Sequence, residues 1–119
     1  MDDQCRQGLV QAGIDVPDAL ERLMGNEALL TRFLKQFLQD ANYPALREAV
    51  EQGNQKQALT ASHTLKGLCG NLSMVELYQL FTRQVELLRG ENWQGACDLM
   101  PQIDRVYRKV CQAIEDALG

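Results

Sequence analysis

Apolar residues along this chain recur with the spacing of helices that face a core. Short alternating runs rich in Val, Ile and Thr, the mark of strands, are absent. Leu29, Leu30, Phe33, Leu34, Phe37 and Leu38 make one broad stripe, opened by Asn26 as a cap with Glu27 beside the positive end of the helix. Asp40 to Tyr43 loosens that stripe, and Pro44 restarts a helix carrying Leu46 and Val50 that Gly53 stops. Two helices or one kinked helix both fit. Asn54 caps the next helix, which runs to about Leu72. Another runs from about Met74 to Arg89 and ends at Gly90, with Leu77, Leu80, Phe81, Val85 and Leu88 inside. Asn92 opens the last, whose stripe is Trp93, Ala96, Cys97, Met100, Ile103, Val106, Val110, Ala113 and Ala117. Pro101 either kinks it or marks its true first turn.

Upstream, a short helix from about Gln4 to Gln11 is stopped by Gly13, and Ile14 to Val16 is a brief extended link. Pro17 suits the first turn of a second short helix, with Leu20 and Leu23 facing inward and Gly25 at its end. Short links between long helices favour antiparallel neighbours. The expected fold is all-α: an antiparallel up-and-down four-helix bundle with one or two short N-terminal helices. Residues 15–118 would form the bundle of a single domain spanning 1–119, with 1–14 as an N-terminal extension.

Length and charge narrow the class. With 119 residues the chain can bury one core and not two. A net charge of −4 argues against nucleic acid and against a polybasic membrane surface. No run approaches the ~18 apolar residues of a spanning helix. The start, Met1-Asp2-Asp3-Gln4, lacks the apolar stretch of an export signal. The expectation is a cytoplasmic domain that contacts neither nucleic acid nor membrane and is most simply a monomer. Cys5, Cys69, Cys97 and Cys111 are scattered, and there is one histidine. No metal site is expected, and the cysteines read as reduced packing residues.

The informative segment is Ala61 to Leu72. On a helix turning about 100° per residue with Leu65 at the centre of the inward face, His63 points about 160° away. Gly67 and Gly70 share that outward face, Lys66 flanks it, and Leu59 lies one turn before the histidine. Each exposed helical glycine costs about 0.8–1 kcal/mol relative to alanine. Two of them leave the imidazole proud, with bare backbone around it that another protein can approach, and Leu59 offers an apolar contact. No aspartate or glutamate lies within a turn to orient His63, so a triad is not indicated, and no phosphate-binding glycine loop exists. A histidine is partly neutral near pH 7 and can accept a phosphoryl group on nitrogen without a general base. Lys66 could offset the phosphoryl charge.

His63-Thr64-Leu65-Lys66-Gly67 followed by Gly70-Asn71-Leu72 resembles the signature of histidine-containing phosphotransfer (Hpt) domains, the carrier modules of two-component phosphorelays. The likeness extends to Gly13-Ile14-Asp15, Ala19 to Leu23, Gly25-Asn26-Glu27, Phe33-Leu34 with Phe37, and Gly53-Asn54 with Ala58-Leu59. It covers the chain from about Gly13 to Leu118. The resemblance implies that His63 accepts the phosphoryl group, that Lys66 interacts with it or with the partner, and that Gly67 gives the partner clearance. Gly70 is a further partner-facing candidate, and Gln84 of the following helix is a candidate for orienting the His63 ring. Ser73 departs from the pattern where the family often has glycine, and Leu68 and Cys69 replace smaller residues.

The implied partners are response-regulator receiver domains, a hybrid sensor histidine kinase, or both. The chain would need no cofactor of its own, and the receiver would supply Mg²⁺. The implied activity is that of a phosphoryl carrier with no ATP site, not an enzyme. The alternatives are a purely structural or interaction bundle, a phosphoacceptor domain loaded by an attached ATP-binding domain, and an enzyme using His63 as general acid or base.

Overall fold

In the computed structural model all 119 residues are described. The helices are α1 (Asp3–Gln11), α2 (Val16–Arg22), α3 (Glu27–Leu38), α4 (Asn42–Gln52), α5 (Gln55–Asn71), α6 (Val75–Arg89), α7 (Trp93–Asp98) and α8 (Met100–Leu118). The expected all-α bundle is what forms. α4 packs on α5, α5 on α6, and both α6 and α3 on α8, so the chain closes around one cluster of 23 buried apolar residues. No helix is long and apolar enough to cross a membrane.

Local chemistry sets most boundaries. The side chains of Asp2, Asn26, Asn54 and Asn92 accept from the backbone N–H groups of Cys5, Leu29, Gln57 and Gly95. Each such cap stabilises its helix by about 1 kcal/mol. α3 and α4 are two helices. Asp40 Oδ1 accepts from the Asn42 N–H at 2.8 Å and so caps α4, which Ala41 cannot do. An aromatic cluster pins this joint: Tyr43 stacks on Tyr107 at 3.8 Å and donates to Asp104 at 2.7 Å, and Phe37 lies 5.6 Å from Tyr107.

Of the two readings of Pro101, the first-turn one holds: a separate α7 ends at Asp98, and Pro101 falls in the first turn of α8, where its missing N–H is harmless. Within residues 1–14, α1 packs along α8, Cys5 Sγ donates to the Ala117 carbonyl at 3.1 Å, and Leu9, Ala12 and Ile14 are buried. In α2, Leu20 and Leu23 face inward as expected, partly buried against the core, and Val16 and Ala19 are buried more fully.

A clamp just upstream of α2 joins the chain there to the turn after α5. Asp15 N donates to Ser73 O at 2.8 Å and Val75 N to Gly13 O at 3.1 Å, around a bridge between Ile14 and Met74. That pairing fixes how α2 enters the bundle, and so which of its faces is covered.

Candidate functional site

The site is built on α5. Ala58, Ala61, Leu65 and Cys69 are all buried, and their common direction fixes the rotation of the helix. His63 and Gly67 are exposed on the opposite side, with Thr64 exposed beside them. A Cβ added at Gly67 would meet nothing within 4 Å, so the backbone there is open to approach. Lys66 is half-buried and takes part in none of the chain's ion pairs, which leaves its ammonium available. Leu59 is half-buried one turn before His63.

Two candidate residues sit differently. Gln84 is 1% exposed, and none of its hydrogen bonds goes to the His63 ring. Its Oε1 accepts from Ser62 Oγ at 2.8 Å, and its Nε2 donates to the Ala96 carbonyl at 3.1 Å and to Met100 Sδ at 3.2 Å. A carboxamide has two N–H donors, and both are committed. Gln84 lies on the core side of α6, where a buried hydroxyl and a carbonyl of α7 need partners more than an exposed ring does.

Gly70 does not face open space. A Cβ there would lie 3.1 Å from the Tyr78 ring carbons, so this glycine makes room for an aromatic side chain of its own domain. It holds no clearance for a partner comparable to that at Gly67.

Ser62 and Tyr78 were not singled out by the sequence. Ser62 lies about 60° from Leu65 on the helical wheel, an edge position for a polar residue, and this was the signal available. Ser73 has φ +54°, the left-handed region that favours glycine. Its hydroxyl donates to Asp18 Oδ2 at 2.6 Å, a bond glycine cannot make, and Asp18 also pairs with Arg22 at 3.0 Å. The Ser73 hydrogen bond, and then Arg22, hold the Asp18 carboxyl below its usual range.

The other titratable groups lie away from this chemistry. Burial pushes the Cys69 thiol far up, and Cys97 and Cys111 are raised by burial as well, so none is poised as a nucleophile. Nowhere do three His, Cys, Asp or Glu side chains gather as metal ligands. The outward face of α5 brings together an accessible imidazole, the unpaired ammonium of Lys66 beside it and the bare backbone at Gly67.

No curated protein and no solved structure matches the chain. A family model does: that of the Hpt domain, over residues 28–118. Hpt domains carry phosphoryl groups on histidine in two-component phosphorelays, act as carriers and not as catalysts, and interact with response-regulator receivers. With a helical bundle in place and a match over three-quarters of its length, the chain belongs to the Hpt domain family.

Proposed function

We propose that His63 carries a phosphoryl group to and from the aspartates of response-regulator receiver domains. The observation that supports this most is the exposure of His63 on the same face as Gly67, whose surroundings are open. A lone pair on a ring nitrogen attacks phosphorus, a P–N bond forms as the P–O bond to aspartate breaks, and the electron pair returns to the carboxylate. The proton on the other ring nitrogen is retained, and the reverse step follows the same path. Lys66 offsets the charge of the phosphoryl oxygens, and Gly67 lets the receiver's backbone come close. Leu59 supplies an apolar contact at the centre of the docked face.

The receiver brings the acidic pocket and the Mg²⁺ that it holds. The chain has no ATP-binding role in this scheme and acts in the cytoplasm as a monomer. Mixing it with receiver domains charged by acetyl phosphate, in Mg²⁺, tests the assignment. An acid-labile, alkali-stable label on the wild type and none on His63→Gln is the expected result. Equal labelling of the two would remove His63 from the mechanism. Lys66→Ala is expected to slow transfer or shorten the lifetime of the phosphorylated state.

A further inference from the structure

Four large apolar side chains are well exposed, and three of them lie together: Val10 at 48%, Val75 at 47% and Tyr78 at 41%. Val75 joins the other two. It lines one surface groove with Val10 and Pro17, and a second with Gly70 and Tyr78. Single exposed apolar residues are ordinary, but contiguous ones beside a working site mark contact with a partner.

The Tyr78 ring covers Gly70. Gly70 is seven residues beyond His63 and about 20° round the helix from it, so the ring lies on the same face about 10 Å along. Gly67, with open space before it, stands between them. The second groove also has a polar margin, since Asp18 and Arg22, an ion pair, line it too. Apolar contact bounded by polar groups is the make-up of a docking surface.

We propose, resting on the reading of His63 as the carrier, that Tyr78, Val75 and Val10 form the outer part of the receiver's footprint. An apolar side of the receiver seats on them while its aspartate faces His63, and Tyr78 discriminates among receivers. A protein partner typically covers about 800 Å² on each side, which extends well past 10 Å from the reacting atom. Continuity with His63 along one helix face makes the receiver the occupant.

Val75→Asp and Tyr78→Ala test the surface. Val75 opens α6, where an aspartate suits the positive helix end, so that variant is expected to fold even if the loss of the ring at position 78 loosens its surroundings. Each chain is labelled both by receiver domains charged with acetyl phosphate and by phosphoramidate, a small donor that needs no docking. The ratio of the receiver rate to the phosphoramidate rate is expected to fall about tenfold or more in each variant.

Unchanged ratios would overturn the docking surface and leave the carrier assignment intact. Phosphoramidate labelling with no transfer from any receiver would remove the receiver as occupant. No label from either donor would overturn the carrier assignment itself. A concentration-dependent dimer of the wild type that Val75→Asp abolishes would give the patch to a second copy of this chain.

Discussion

Ser62 Oγ donates to Gln84 Oε1 at 2.8 Å, one residue away from His63. These are two of the three buried polar residues in the chain. Through the bonds of Gln84 to Ala96 and Met100, the pair ties α5 to α6, α7 and α8 at the level of the histidine. Removing one partner leaves the other buried without a bond, which costs about 1–3 kcal/mol. Gln84→Leu is expected to lose that much stability in urea denaturation. Because none of its hydrogen bonds goes to the ring, phosphoramidate labelling of His63 should persist wherever the variant is folded.

His63→Gln should abolish labelling and leave the bundle standing. The side chain projects into solvent, and surface substitutions usually change stability by about 0.5 kcal/mol or less. Circular dichroism melting within a few degrees of wild type, alongside complete loss of the acid-labile label, is the expected pair of results.

The two glycines of α5 should respond differently to alanine. At Gly67 a methyl meets nothing, so Gly67→Ala should stabilise by most of the intrinsic difference of about 0.8–1 kcal/mol. At Gly70 the methyl lies 3.1 Å from the Tyr78 ring, which has to shift, and the gain should be smaller or reversed. Parallel denaturation curves check the contrast. Gly67→Gln should also fold, yet transfer from a receiver should fall because its long side chain fills the approach.

Acid should probe the clamp at Ser73. The folded-state value of the Asp18 carboxyl lies below 3.8, held there by the Ser73 hydroxyl and by Arg22. Its contribution to stability is therefore present above the unfolded value and lost as the pH falls through the folded one. Asp18→Asn removes the titration. The gap in melting temperature between wild type and this variant should shrink as the pH drops below about 4.

At the alkaline end, Tyr43 and Tyr107 should resist ionisation. Burial raises both above the ordinary phenol value of 10.0. The hydrogen bond to Asp104 adds to the shift at Tyr43, and the neighbouring Cys111 adds at Tyr107. Neutral phenols favour the fold, so this contribution is complete below about pH 10 and is lost as the pH climbs through the folded values. Phenolate absorbance of these two tyrosines should rise together with the loss of helical signal, not before it.

The helices and the outward histidine are legible in the order of residues alone. Both follow from periodicity: a helix rotates by a fixed angle per residue, so burying Ala58, Ala61, Leu65 and Cys69 forces His63 and Gly67 to the far side. Caps and breakers are equally local, and Asn26, Asn54 and Asn92 act where their side chains were expected to act.

Only the tertiary structure decided what meets what. Gln84 bonds to Ser62, the Tyr78 ring lies over Gly70, and Leu9 and Ile14 join the core. Each outcome depends on the register between helices, which no helical wheel contains. A wheel gives direction within one helix. The contacts of a polar or small residue at its edge are set by whichever side chain the neighbouring helix brings to the same height.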